Sequence, residues 1–328
     1  MKMKDRFGRE LTYLRISVAD RCNLRCLYCM PAYGAGFEPW EELLSDEEIA
    51  ALVRYFSELG IWKVRITGGE PLVRKNIAGL IFRIREIPEI RELALSTNGV
   101  LLKEHARKLM EAGLDRVNIS LDTLRRDRFE KIARMDRLSQ VLEGIDAALA
   151  AGLRPVKLNT VLMKGINDDE ILGLVRFAVE KSIEVRFIEL MPTNGSLALD
   201  PAAAFLGTEE AKARIEKEFL LVPFDSYFSS PAQVFSVAGT KARVGFISPL
   251  SCVFCSRCNR LRLKANGMLK TCLHGKEDLD LKELLRSQTP AEEIKEQIRQ
   301  TVFARPEQHF LNEAQVKHQD FQMSHVGG

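Results

Sequence analysis

Six short β-like runs, at residues 13–18, 63–67, 92–97, 115–120, 155–162 and 184–189, alternate with helical patterns. Strand, helix and strand joined by short connections imply right-handed βαβ units and a parallel sheet. The helices have readable ends. Ser45 and Glu48 form a capping box before an apolar periodicity that runs to Leu59, and Gly60 follows. Residues 103–112 stop at Gly113, and residues 139–151 stop at Gly152. Asp168 or Asp169 is placed to cap a helix reaching residue 180. Periodicity alone leaves an open doubly wound sheet and a partial barrel nearly even.

The pattern changes after residue 195, with short strands and turns over residues 223–245 and helices over 209–219, 279–287 and 291–302. The expected division is a barrel over residues 1–222 and a second region over 223–328 that packs on it. Hydrophobic residues at 46% and charged residues at 28% allow a sizeable core. A net charge of +3 does not argue for a nucleic-acid partner. The segment MKMKDRFGRE has no apolar stretch after its charges, and no run nears the roughly 18 apolar residues of a membrane span. The expected compartment is the cytoplasm, where thiols stay reduced.

Seven cysteines lie in two knots. Cys22, Cys26 and Cys29 follow the first strand, and Cys252, Cys255, Cys258 and Cys272 lie near the end. This clustering, and the odd number, suit metal binding better than disulfides. Three thiolates in eight residues can wrap one corner of a four-iron cluster, leaving one iron open for chemistry. S-adenosylmethionine can fill that position with its amino and carboxylate groups. Zinc or core thiols are the plainer alternative, but zinc prefers four ligands and no nearby His supplies the fourth. The second knot, read from spacing alone, is a four-thiolate site of ferredoxin type.

Polar motifs cluster at the C-terminal ends of the expected strands: Gly68-Gly69-Glu70, Thr97-Asn98-Gly99, Ser120 with Asp122, and Glu189 with Met191. In a β/α barrel that rim builds the active site, which favours a partial barrel here. Gly68 and Gly69 permit close approach of backbone to a ligand, although such a pair also marks ordinary turns. Arg15, Lys63, Arg65, Lys157 and Arg186 lie inside strand runs, where an unpaired cation is costly to bury. Solvated surface charge is the alternative. Arg260 and Arg262 leave the second knot in strand alternation and share one face. Converging cations suit a polyphosphate.

YLRISVADRCNLRCLYCMP resembles the radical S-adenosylmethionine enzymes, and specifically the GTP 3′,8-cyclase family of molybdenum cofactor biosynthesis. DRFGR, KVRITGGEPLVR, STNG, VNISLD, KLNTV, RFIELMP, FCSRCNRLRL and the final GG match that family in order. The resemblance implies an α/β fold, a partial (β/α)6 barrel whose C-terminal α+β extension carries a second iron–sulfur cluster. Its implied cofactors are two [4Fe–4S] clusters and S-adenosyl-L-methionine. Cys22, Cys26 and Cys29 would hold the first cluster, and Cys255, Cys258 and Cys272 the second, whose open iron meets guanine. Cys252 lies outside that ligand set.

By the same resemblance, Tyr28, Gly69, Ser120 and Met191 contact S-adenosylmethionine. Arg15, Lys63, Arg65, Thr97, Lys157, Arg186, Arg260, Leu261 and Arg262 are implied to bind GTP. Gly327 and Gly328, otherwise a frayed terminus, are implied to enter the pocket and position groups for radical propagation. His274 is expected to be a local hydrogen-bonding residue. The implied reaction removes hydrogen from C3′ of GTP and joins C3′ to C8. Implied partners are a reductant protein of flavodoxin or ferredoxin type and the downstream cyclic pyranopterin monophosphate synthase, with a homodimer among the possible assemblies. Two rivals are a peptide-modifying radical enzyme with an auxiliary cluster, and a non-enzymatic two-cluster electron carrier or zinc-binding regulator.

Overall fold

A computed structural model describes residues 2–34, 36–192, 199–224, 231–275, 278–309 and 323–326. Six parallel strands form its centre: β1 (Tyr13–Ser17), β2 (Lys63–Thr67), β3 (Glu92–Thr97), β4 (Arg116–Ser120), β5 (Lys157–Leu162) and β6 (Glu184–Glu189). They hydrogen-bond in sequence order and curl into a partial barrel. The intervening helices are α1 (Asp46–Glu58), α2 (Ile77–Arg85), α3 (Leu102–Glu111), α4 (Arg126–Ala133), α5 (Leu138–Ala150) and α6 (Ile171–Lys181).

The strands alternate polar and apolar residues, and the two sets separate across the sheet. Leu14, Ile16, Val64, Ile66, Leu95, Val117, Ile119, Val185 and Phe187 are fully buried in one core with helix residues such as Leu52, Phe56, Leu80, Ile145 and Leu174. Each such burial contributes roughly 1.5–3 kcal/mol. The opposite face, toward the lumen, carries the polar residues. A β/α barrel of the usual kind fills that space with branched apolar side chains. Here the space is kept for something else.

Beyond β6 lie α7 (Thr208–Ile215), β7 (Leu221–Pro223), β8 (Gln233–Val237), β9 (Arg243–Ile247), β10 (Arg260–Leu263), β11 (Met268–Lys270), β12 (Leu279–Asp280), α8 (Leu281–Arg286) and α9 (Ala291–Phe303). These strands extend both edges of the same sheet. Its order is β12-β11-β10-β1-β2-β3-β4-β5-β6-β9-β8-β7. β10 pairs parallel to β1, and β9 parallel to β6. Both edges of the six-stranded core are thereby covered, which an open sheet requires.

The capping box of α1 forms as expected, with Glu48 N donating to Ser45 Oγ at 3.1 Å and Ser45 N to Glu48 Oε2 at 2.8 Å. The expected aspartate cap of α6 does not form. Residues Asp168–Glu170 make a 3-10 turn, and α6 starts at Ile171 without a side-chain cap. Asp168 instead accepts Gly165 N at 2.7 Å, and Asp169 pairs with Arg128. These carboxylates have partners outside the helix and so do not turn back on it. Among the described residues, no helix is long and apolar enough to cross a membrane.

Candidate active site

The lumen holds a cavity of about 640 Å³. Parallel register organises its wall. Arg262 on β10 lies beside Arg15 on β1, Arg15 beside Arg65 on β2, then Ala94, then Arg116 on β4. Adjacent strands are about 4.8 Å apart, so four arginines share one level of the wall. One level nearer the strand starts stand Arg260, Tyr13, Lys63 and Glu92. Across the lumen, Asn118, Lys157 and Glu184 are register neighbours, as are Asn159 and Arg186.

Two carboxylates balance part of this charge. Glu92 accepts from Arg116 Nε at 2.9 Å and lies 3.0 Å from Lys63 Nζ. Glu184 pairs with Arg186 and lies 3.1 Å from Lys157 Nζ. Burial would raise both acids, yet their cations hold each at about 2. Burial and the Arg262 and Arg260 cations bring Arg15 down to about 9, still charged at neutral pH. Burial works against ionisation of Tyr13, but Arg65, Arg15, Lys63 and Arg116 pull it down to about 8.

Several buried polar atoms on this wall have no hydrogen-bond partner among the described residues: Tyr13 Oη, Arg15 Nε and Nη2, Arg65 Nε, Asn118 Nδ2 and Asn159 Oδ1. Leaving such groups bare in a core is costly. A bound polyanion would supply acceptors for the N–H and O–H donors among them and offset the crowding of the arginines.

The first cysteine loop follows β1 at the C-terminal mouth of the barrel. The Gly68-Gly69 backbone seats against its base. Gly69 N donates to Ala19 O and Glu70 N to Arg21 O, each at 2.7 Å. A Cβ on Gly69 would lie 2.3 Å from Arg21 O, so no larger residue fits. Glu70 is buried and accepts the Thr97 hydroxyl and Asn98 N, each at 2.7 Å. Asn98 Nδ2 in turn donates to Cys22 Sγ at 3.7 Å. Burial pushes Cys22 up to about 11. Burial also raises Cys26 well above the ordinary thiol range, with Cys29, Asp122 and Cys22 adding to the effect. Three thiols that feel one another's charge suit a cationic iron–sulfur core. Tyr28, Ser120 and Asp122 line a small crevice beside Cys26.

The second knot lies at the other end of the lumen. Cys255 and Cys258 precede β10, whose start aligns with Tyr13 at the start of β1, and Cys272 follows β11. All three line the cavity. Burial alone would raise Cys258, but Arg260 and Arg305 bring it to about 6. Cys252 is exposed. His274 lines the cavity and packs edge-on against His309, with ring centroids 5.5 Å apart. Among the described residues, no three His, Cys, Asp or Glu side chains are grouped to hold a single metal ion. A single zinc would draw its thiolates to about 2.3 Å from one centre, whereas a multi-iron cluster accepts more widely spread sulfurs.

The seven cations expected at one site do converge, but inside the lumen, below the rim where the strand ends pointed. Met191 also lines the cavity. Thr97 and Leu261 stand apart: the Thr97 hydroxyl is engaged by Glu70, and Leu261 is buried in the apolar core behind the sheet. Gly327 and Gly328 lie outside the described residues. Tyr13, Asn118, Arg116, Glu92, Glu184 and Arg305 belong to the cavity although motif reading passed over them, and Asn159, a polar residue of the fifth strand run, lines it too. Strand alternation was the available signal for most: Tyr13 is two residues before Arg15, and Arg116 and Asn118 share one face of β4.

Comparison with known proteins agrees with this architecture. Residues 16–178 match the radical SAM superfamily, and residues 183–311 match the family described as Molybdenum Cofactor Synthesis C. The chain is 47% identical over 327 residues to a GTP 3′,8-cyclase of Moorella thermoacetica, spanning 99% of this chain and 100% of that one. It is 46% identical over 326 residues to one of Alkaliphilus metalliredigens, again over 99% of this chain and 100% of the relative. Among solved structures, Streptococcus suis SuiB bound to S-adenosylmethionine superposes with a TM-score of 0.62 at 15% identity, covering 89% of this chain and 68% of that one, which supports the fold.

Proposed function

The chain belongs to the GTP 3′,8-cyclase family of radical SAM enzymes, and we propose that its lumen holds GTP between two iron–sulfur clusters placed at opposite ends of the barrel. Its activity is that of the family: conversion of GTP to (8S)-3′,8-cyclo-7,8-dihydroguanosine 5′-triphosphate in molybdenum cofactor biosynthesis, with [4Fe–4S] clusters and S-adenosyl-L-methionine as cofactors. Cys22, Cys26 and Cys29 hold the first cluster; Cys255, Cys258 and Cys272 hold the second. When bound, these groups supply radical chemistry at one end and an open iron for the guanine at the other.

The chain's own residues bind, orient and enclose. Arg15, Arg65 and Arg262 present forked N–H donors to phosphate or ribose oxygens, and Lys63, Lys157, Arg186 and Arg260 complete the charge around them. Tyr28, Gly69, Ser120 and Met191 seat S-adenosylmethionine at the mouth. Arg15, Arg65, Arg186 and Arg262 are buried in the lumen wall, which strengthens every charged contact there. A reductant protein of flavodoxin or ferredoxin type serves the mouth, and cyclic pyranopterin monophosphate synthase takes the product, both in the cytoplasm.

The observation that carries this reading is the register-aligned row Arg262, Arg15 and Arg65, with buried N–H groups on Arg15 and Arg65 that have no acceptor among the described residues. The test is anaerobic reconstitution with GTP, S-adenosylmethionine and a reductant. Formation of 5′-deoxyadenosine coupled to loss of GTP is expected. Cleavage of S-adenosylmethionine with GTP untouched would point to a different substrate.

A further inference from the structure

Arg305, just after α9, is 4% exposed. Its Nη1 donates to the Cys258 carbonyl and its Nη2 to Cys258 Sγ, both at 3.0 Å. Among the described residues the hydrogen bonds of its guanidinium run to Cys258 alone. A buried guanidinium with no carboxylate is costly unless another anion compensates it. The nearest such anion is the Cys258 thiolate.

The contact is braced from the other end of the chain. Arg9 Nη1 donates to Cys255 O at 3.0 Å and to Glu307 O at 2.6 Å, and Arg9 Nη2 to Pro306 O at 2.6 Å. Asp5 holds Arg9 in turn, accepting its backbone N at 3.0 Å. The DRFGR motif thus clamps residues 306 and 307, next to Arg305, onto the second cysteine loop.

We propose that Arg305 is a positioning residue that sets the reduction potential of the second cluster through its charged N–H contact to Cys258. This rests on the assignment of that cluster to Cys255, Cys258 and Cys272. Reduction adds negative charge to the cluster and its thiolates. A fixed cation with an N–H aimed at a ligand sulfur favours the reduced form and raises the potential. Arg305 touches neither nucleotide nor iron in this role.

The test is a potentiometric titration of the anaerobically reconstituted full chain, followed by electron paramagnetic resonance. The second cluster is identified as the signal that survives in the Cys22→Ser/Cys26→Ser/Cys29→Ser variant. Arg305→Gln removes the charge and is expected to move that midpoint to more negative potential. Arg305→Lys, which keeps the charge and loses the fork, is expected to move it less. The first cluster's midpoint stays put in both. If Arg305→Gln sheds iron, the Arg305→Lys titration decides: a negative shift supports the role. Unchanged second-cluster midpoints at full iron content overturn it. A triple serine variant that binds no iron overturns the second-cluster assignment itself.

Discussion

Tyr28, inside the first cysteine loop, donates its hydroxyl to Asp122 Oδ2 at 2.7 Å. The other oxygen of Asp122 accepts Val161 N at 2.9 Å. One buried carboxylate therefore ties the loop to the end of β4 and to β5. Asp122→Ala removes the carboxylate that accepts from the Tyr28 hydroxyl and from Val161 N, and each lost acceptor of a buried donor costs about 1–3 kcal/mol. A loss of about 2–4 kcal/mol is expected in urea unfolding of the anaerobic apoprotein. Asp122→Asn, which keeps acceptor oxygen, should lose less. Equal midpoints for wild type and the alanine variant would contradict this reading.

Gly69 is the seat of the cysteine loop. An added methyl meets Arg21 O at 2.3 Å and Arg21 C at 2.6 Å, both backbone atoms one residue before Cys22. Relief requires displacing the loop, at about 1–3 kcal/mol for an overpacked site. Gly69→Ala is expected to take up about half the iron of wild type, with the second knot still loaded. Full iron uptake and unchanged S-adenosylmethionine binding would show that the loop can yield.

Arg65 lies in the row with Arg15 and carries a buried Nε with no hydrogen-bond partner among the described residues. Hydrogen bonds to charged groups are worth about 1.5–3 kcal/mol, so Arg65→Ala should weaken GTP binding by roughly 10- to 150-fold. The same change removes a crowded cation, and the apoprotein should lose little stability. Isothermal titration with GTP and thermal melting of the apoprotein read the two effects separately. Unimpaired GTP affinity would remove Arg65 from the substrate wall.

Two buried acids should respond to pH in opposite senses. Glu70 is pushed up to about 7 by burial, so the folded state binds its proton where the unfolded state does not. Stability then rises as pH falls from about 7 to about 4.5, and Gln at this position cannot follow. The cost of Glu70→Gln should therefore grow over that window, by on the order of 3 kcal/mol. Glu184 is held near 2 by Arg186 and Lys157 against the pull of burial. Its contribution is complete above about 4.5 and fades as pH falls toward 2, so the cost of Glu184→Gln should shrink there. Urea unfolding of both variants across pH checks the signs. Parallel trends would refute the pair of assignments.

Patterns between residues near in sequence determined the strand positions, the Ser45 capping box and the three-cysteine spacing of the first knot. Period-two alternation and side-chain hydrogen bonds across three residues depend on nothing farther away. The cation set was legible for the same reason, because Arg15, Arg65 and Arg186 interrupt otherwise apolar strands.

Tertiary structure alone decided where those groups meet. Arg262 stands beside Arg15 only because β10 docks on β1, although the paired residues Tyr13 and Arg260 are far apart in the chain. That docking puts the second knot at the opposite end of the lumen from the first. It also turns the cations into an internal wall below the rim. Arg305 had no local pattern to mark it; its partners are a carbonyl and a sulfur on a distant loop. Register and burial come from packing across the whole sheet, so contacts set by them leave no trace in the spacing of neighbouring residues.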